Sequence, residues 1–237
     1  MRQWGGMTGE ADRPVFPLTG WRAAGKRILD LFVACLLLPL LVPLWITLAV
    51  LIRMDSFGPV LYRQVRVGKK GQLFTLYKLR SMIYGAEDLT GPVWAQDPDQ
   101  RETRVGRYLR RYGLDETLQV VNVLRGDMSL VGPRPERPFF VEQFKKTVPG
   151  YAGRLLVKPG ITGWAQTHMK HRYDVSVHDV RTKLTYDLEY IRFQSVCFDM
   201  LILLKTVTMF TGRGRKSESP PPLSSAAEPS RASVQIN

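Results

Sequence analysis

The sequence predicts an α+β, mostly helical protein. It combines a re-entrant, monotopic membrane helix-hairpin with a cytoplasmic-face domain that holds one small β-hairpin and membrane-surface amphipathic helices. Three observations carry this. Residues 28–52 are almost wholly apolar but contain Pro39 and Pro43, and basic residues flank both ends. Residues 59–82 alternate about the turn 68-GKKG-71. Apolar residues recur at helical spacing over 102–112, from Leu114 to Leu124, and again from about 180 to 211. The implied organisation is a loose arm over 1–20, the re-entrant helix over 21–54, one folded domain over 55–212 and a disordered tail over 213–237.

The apolar run is long enough to span a bilayer, which takes about 20 residues. It begins too far inside the chain, and lacks the flanking pattern, to be a signal peptide. Each proline lacks an N–H and clashes with the carbonyl four residues before it, so a bend or break is expected. The stretch before Pro39 gives only about 16 Å of helix, half a bilayer core. Arg22, Lys26 and Arg27 precede the run, and Arg53, Arg63, Arg66, Lys69 and Lys70 follow it. Basic flanks mark the cytoplasmic side, and here they stand at both ends. A kinked ordinary span and a buried helix of a soluble protein stand as alternatives.

The net charge of +13 implies an anionic partner: nucleic acid, an acidic membrane surface or a phosphorylated substrate. The usual nucleic-acid-binding motifs are missing, and such a role leaves residues 28–52 unexplained, so no nucleic-acid partner is expected. Cys35 and Cys197 lie in apolar surroundings and read as small buried hydrophobes rather than a disulfide. His168, His171 and His178 lack zinc-like spacing and read as solvated or locally hydrogen-bonded.

In the folded domain, 59-PVLYRQVRVG-68 and 72-QLFTLYKLRSM-82 are the hairpin strands. Residues 84–98 read as helix then loop. Residues 102–112 form a basic helix with Val105, Tyr108 and Leu109 on its apolar side. A second helix is placed from near Asp115, with apolar Leu114, Leu118, Val121 and Leu124. Beside them Asp115, Gln119 and Asn122, at i, i+4 and i+7, make a polar stripe that a purely structural helix seldom needs. Prolines stiffen 132-GPRPE-136 around Arg134, and 157-VKPGITGW-164 is a second rigid loop. Ser195 is a favoured N-cap for 196–210, a helix with few charges that suits a membrane surface.

Asp115 and Glu116 follow a run, 101–113, of five arginines and one acid. They have two readings. Asp is a favoured N-cap, and acids in a first turn suit the helix dipole by about 0.3–1 kcal/mol. Alternatively, a carboxylate among arginines stays ionised and acts as a nucleophile, while the arginines fork onto a diphosphate and a second carboxylate holds Mg²⁺. Adjacent helical residues diverge by about 100°, so the pair cannot straddle a glycosidic bond. Neither a Walker loop nor G-x-G-x-x-G is present.

The motifs 26-KRILD-30, 58-GPVLYRQVRVGKKGQLFTLYKLRSM-82, 113-GLDETLQVVNVLRGDMSLVGPRPE-136, 158-KPGITGWAQ-166 and 184-LTYDLEYIRFQS-195 run in order over about residues 22–211. In them the sequence resembles the bacterial sugar transferases, small monotopic phosphoglycosyl transferases. The resemblance implies an enzyme that passes a sugar 1-phosphate from a UDP-sugar to polyprenyl (undecaprenyl) phosphate. The products would be a polyprenyl-diphosphate sugar and UMP, at the start of exopolysaccharide or glycoconjugate assembly. It implies Asp115 as a nucleophile that carries the phospho-sugar covalently. Glu116, with Asp115, would hold Mg²⁺. Arg110 and Arg134 would steady phosphate or nucleotide, Pro133 and Pro135 would border the nucleotide, and Lys78 and Arg80 would touch phosphate. Gln119 and Asn122 join them as substrate-facing candidates.

The implied partners are the UDP-sugar, polyprenyl phosphate and inner-membrane lipids, with a homodimer left open. The implied site of action is the cytoplasmic face of the bacterial inner membrane. The family break often reads Ser-Pro, where this chain has Leu38-Pro39 and Val42-Pro43. After the acids the family often reads Leu-Pro-Gln, where this chain has Thr117-Leu118-Gln119. The extra spans and second domain of larger relatives are not expected here. The competing reading is a catalytically inactive membrane scaffold of a polysaccharide assembly system.

Overall fold

A computed structural model describes residues 16–86, 91, 99–169 and 177–210. The expected arm and tail, and most of the segment read as helix then loop over 84–98, lie outside the described residues.

The first element, α1, runs from Gly20 to Asp55. Pro39 and Pro43 lie inside it and both face outward, so the expected interruption does not divide it into two helices. One stripe of α1 is buried: Asp30, Ala34, Leu41, Leu48 and Ile52. The opposite side is apolar and open, with Ile28, Phe32, Leu36, Leu40, Ile46, Val50 and Met54 all exposed. Cys35 in this helix and Cys197 are exposed as well, not buried as expected.

The hairpin forms where alternation placed it. Strands β1 (Leu61–Val67) and β2 (Leu73–Leu79) pair antiparallel, with Leu61 opposite Leu79 and Val67 opposite Leu73. A 3₁₀ turn over Lys69–Gly71 joins them, and Lys70 takes the left-handed region within it.

Helix α2 (Arg104–Tyr112) starts at the Thr103 side chain, which accepts from the Gly106 N–H at 2.9 Å. It stops at Gly113, whose φ of 67° no β-carbon-bearing residue adopts cheaply. A 3₁₀ turn over Leu114–Glu116 follows, then α3 (Gln119–Arg125).

Beyond α3 come β3 (Ser129–Val131), α4 (Pro138–Thr147), a 3₁₀ stretch over Tyr151–Leu156, β4 (Gly160–Thr162) and α5 (Trp164–His168). Strands β3 and β4 pair in parallel, as a second two-stranded sheet. Their loops approach so closely that a β-carbon on Gly160 would lie 2.1 Å from the Gly132 nitrogen. Helices α6 (Val177–Phe193) and α7 (Val196–Phe210) close the described chain. Ser195 caps α7 as expected, its hydroxyl accepting from the Phe198 N–H at 3.1 Å.

The core has two parts. A large cluster joins Val120, Val123, Val131, Phe144, Tyr151, Leu184 and Ile191. A smaller one joins Leu48, Ile52, Leu79 and Leu109. Leu44 and Trp45 of α1 pack against both. Helix α1 therefore spans the two halves of the core, and the loop carrying the acidic pair sits beside it.

Candidate active site

The acidic pair is not a helix cap. Asp115 and Glu116 lie within the 3₁₀ turn that Gly113 begins, and the N-cap positions of that turn and of α3 are held by Gly113 and Leu118. Thr117 fixes the end of this turn. Its hydroxyl donates to the Leu114 carbonyl at 2.7 Å and accepts from Trp45 Nε1 of α1 at 3.0 Å. Asp115 is 6% exposed.

Glu116 is gripped from two sides. Lys78 Nζ on β2 donates to its Oε1 at 2.8 Å. Arg134, held between Pro133 and Pro135, forks onto both oxygens, Nη1 to Oε2 at 2.9 Å and Nη2 to Oε1 at 2.5 Å. Burial disfavours the carboxylate, but Arg134 and Lys78 outweigh it and hold Glu116 well below the usual range. Arg134 is raised, chiefly by Glu116. Burial lowers Lys78, with Glu116 opposing. Glu116 is an ionised carboxylate at neutral pH, seated in a cradle of two cations.

Such a cradle suits a diphosphate, because a guanidinium fork and an ammonium match phosphate oxygens as they match carboxylate oxygens. Among the described residues no group of three His, Cys, Asp or Glu is placed to hold a metal. Mg²⁺ commonly binds through one or two carboxylates plus substrate phosphates, and Asp115 with Glu116 meets that pattern.

The structure brings Asp115, Glu116, Lys78 and Arg134 together. Pro133 and Pro135 are buried and hold the loop, the Pro133 carbonyl accepting from the Gly160 N–H at 2.9 Å. Gln119 is buried at the first position of α3. Arg110 lies at the C-terminal end of α2 with Nη1 at 3.0 Å from Glu102 Oε1 and 3.7 Å from Asp99 Oδ2.

Two expected contacts lie elsewhere. Arg80 is buried under the end of α1, where its guanidinium donates to the carbonyls of Ile52, Ser56 and Phe57 and to the Ser56 hydroxyl. It neutralises the carbonyl end of a helix, which draws it away from phosphate. Asn122 is fully buried and bonds the backbone of β2, accepting from the Tyr77 N–H at 3.1 Å and donating to the Thr75 carbonyl at 2.7 Å. The polar stripe therefore includes a clamp between α3 and the hairpin.

Behind Arg134 stands a second charged group that sequence reasoning missed: Arg66, Glu136, Arg154, Lys183 and Asp187. Lys183 Nζ donates to Glu136 Oε1 at 2.6 Å, and Arg154 Nη2 lies 2.8 Å from Asp187 Oδ2. Burial pushes Glu136 up, but Lys183, Arg154 and Arg66 bring it down to about 2. A signal was available, since Lys183 and Asp187 occupy the α6 face that also buries Val180, Leu184, Leu188 and Ile191.

The family model for "Bacterial sugar transferase" matches residues 21–213. The chain belongs to the bacterial sugar transferase family. It is 46% identical over 192 residues to the UDP-N-acetylgalactosamine-undecaprenyl-phosphate N-acetylgalactosaminephosphotransferase of Aeromonas hydrophila, covering 81% of this chain and 45% of that protein. It is 41% identical over 191 residues to the UDP-glucose:undecaprenyl-phosphate glucose-1-phosphate transferase of Escherichia coli K12, covering 81% of this chain and 41% of that one. The chain thus spans less than half the length of these relatives. It is also 36% identical over 193 residues to the exopolysaccharide production protein PSS of Rhizobium leguminosarum bv. phaseoli, covering 80% of this chain and 96% of that protein.

In this member of the bacterial sugar transferase family, the residues that share one place are a buried carboxylate, a second carboxylate and two cations, drawn from β2, the 3₁₀ turn and the 132–136 loop.

Proposed function

We propose that the chain transfers a sugar 1-phosphate from a UDP-sugar to polyprenyl phosphate and releases UMP. The observation that carries this reading is the buried Asp115 beside Glu116, whose oxygens already occupy a two-cation cradle suited to phosphate. The names of the A. hydrophila and E. coli relatives support the same substrates.

An oxygen of Asp115 attacks the sugar-bearing phosphorus. The bond from that phosphorus to the bridging oxygen breaks, and UMP leaves with that oxygen. An oxygen of polyprenyl phosphate then attacks the same phosphorus and frees Asp115. Lys78 and Arg134 exchange Glu116 for phosphate oxygens, so charge developing on the leaving group meets donors already in place. Asp115 and Glu116 would hold Mg²⁺, which when bound neutralises diphosphate charge. The inactive-scaffold alternative has no observation in its favour.

The re-entrant placement on the cytoplasmic face belongs to the same proposal. Near one end of α1, Arg27 donates to the Val123 and Leu124 carbonyls at 2.6 and 3.1 Å. At the other end, Asp55 accepts from the Val105 N–H at 2.9 Å. A helix of 36 residues is about 54 Å long, against a bilayer core of about 30 Å. With both ends seated on one domain, a straight crossing would force that domain into the bilayer. The exposed apolar side of α1 instead suits burial in one leaflet. In inverted membrane vesicles, protease should remove a reporter fused to the N-terminus, and a protected reporter would contradict this placement.

The test of function supplies purified chain with Mg²⁺, polyprenyl phosphate and a panel of UDP-sugars, and measures UMP. Wild type should release UMP with at least one sugar, and Asp115→Asn with none. An Asp115→Asn protein as active as wild type would remove the nucleophile assignment.

A further inference from the structure

We infer that Arg66 and Arg154 are positioning residues for Arg134: each holds a carbonyl of the loop that presents its guanidinium to substrate phosphate. The inference rests on the reading that Arg134 binds that phosphate.

Every carbonyl from Pro133 to Glu136 is taken. Gly160 N–H donates to Pro133 O at 2.9 Å, and Val67 N–H to Glu136 O at 2.9 Å. The two carbonyls nearest the working side chain are held by side chains instead. Arg154 Nη2 donates to Arg134 O at 2.8 Å, and Arg66 Nη1 to Pro135 O at 2.9 Å. A backbone atom of Arg134 is thus fixed by one guanidinium while its own guanidinium faces Glu116.

The two holding arginines are themselves locked. Arg154 is 4% exposed, and its Nη1 donates to Tyr151 Oη at 2.7 Å while its Nη2 lies 2.8 Å from Asp187 Oδ2. Arg66 donates through Nε and Nη2 to Gln64 Oε1, and its Nη1 lies 3.7 Å from Glu136 Oε2. Lys183 completes the group on Glu136. A lone buried ion pair between α6 and the loop would need neither arginine to reach a loop carbonyl. That both do, on adjacent residues around Arg134, indicates that the group sets the loop's shape. A small displacement of a phosphate-binding group can cost about 100-fold in rate.

The test is a double-mutant cycle with UMP release as readout, UDP affinity by calorimetry, and melting temperature as the fold check. The variants are Arg154→Lys and Arg66→Gln, each in the wild-type and Arg134→Lys backgrounds. Arg154→Lys keeps the charge and loses the fork. Arg66→Gln lies on a partly exposed strand and serves if Arg154→Lys does not fold. The expected result in the wild-type background is a loss of about 10- to 100-fold in kcat/KM, carried by KM for the UDP-sugar. UDP affinity should weaken in parallel. In the Arg134→Lys background the same substitutions should cost no more than about twofold, because their effect passes through Arg134. Equal losses in both backgrounds, or no loss from a folded variant, would overturn the inference while leaving the transferase reading intact. A wild type that releases no UMP from any UDP-sugar would overturn the transferase reading and this inference with it.

Discussion

Two ion-pair groups face each other across the 132–136 loop, and they do different work. In front, Glu116 meets Lys78 and Arg134, whose side chains keep 14% and 31% exposure. Behind, Arg154 and Asp187 are closed off, at 4% and 2%. The front group has one carboxylate acting as the ligand of two cations, and it lies beside the buried Asp115. On the proposed reading, a phosphate would take its place at both cations and Glu116 would turn to Mg²⁺. Arg154 and Asp187 form the closed centre of the rear group, while Arg66, Glu136 and Lys183 keep 15%, 13% and 11% exposure. The rear group's charges are spent on one another and on loop carbonyls. The chemistry is similar in both, and the partners differ: a carboxylate held by two cations in front, loop carbonyls held by two arginines behind.

The largest effect that separates the two groups is expected at Asp115. Asp115→Asn replaces the proposed nucleophile with an amide of the same size, so UMP release should fall by about a thousandfold or more with little change in melting temperature. Next, Arg134→Ala should lower kcat/KM by about 100- to 1000-fold, the size seen when a preorganised donor to developing charge is lost. Steady-state kinetics with the best UDP-sugar checks it. If Arg134→Ala left turnover unharmed but lowered the melting temperature, the front group would be structural and the contrast would collapse.

The rear group should show in stability and in its pH dependence. Glu136 falls from an ordinary 4.5 to about 2 on folding. A depressed carboxylate stabilises the fold in full above 4.5, and that stabilisation is lost as pH falls through about 2. Glu136→Gln should therefore cost about 3 kcal/mol at neutral pH. Thermal melts at several pH values should show the gap between wild type and variant narrowing below 4.5. The smallest effect is at Asn122, where Asn122→Ala leaves the Tyr77 N–H and the Thr75 carbonyl without their partner. Denaturant unfolding should show a loss of about 1–3 kcal/mol. A change in KM for the UDP-sugar larger than the stability loss explains would return Asn122 to the substrate side.

Local chemistry made much of this legible in the sequence. Alternation placed both hairpin strands, apolar spacing placed α2 over 102–112, and Ser195 marked the start of α7. The acidic pair was visible as either cap or chemistry. Gly113 decided between them: its left-handed turn ends α2 and starts a 3₁₀ turn, so Asp115 never reaches a capping position. What sequence could not show was long-range. Arg80 serves carbonyls more than 20 residues away at the end of α1, and nothing in its own neighbourhood marks that. The parallel pair β3–β4 is only three residues long on each side, too short for a periodic pattern. Arg154 and Lys183 meet the loop from a 3₁₀ stretch and a distant helix, so their convergence is a property of the fold.

The central claim is that Asp115, beside the front group, forms a bond to phosphorus. The direct measurement incubates the chain with Mg²⁺ and a labelled UDP-sugar, withholds polyprenyl phosphate, and maps the label by mass spectrometry of quenched peptides. A sugar phosphate on the peptide containing Asp115, discharged when polyprenyl phosphate is added, is the expected result. Steady UMP release in the presence of acceptor, with no adduct on that peptide under any quench, would contradict it.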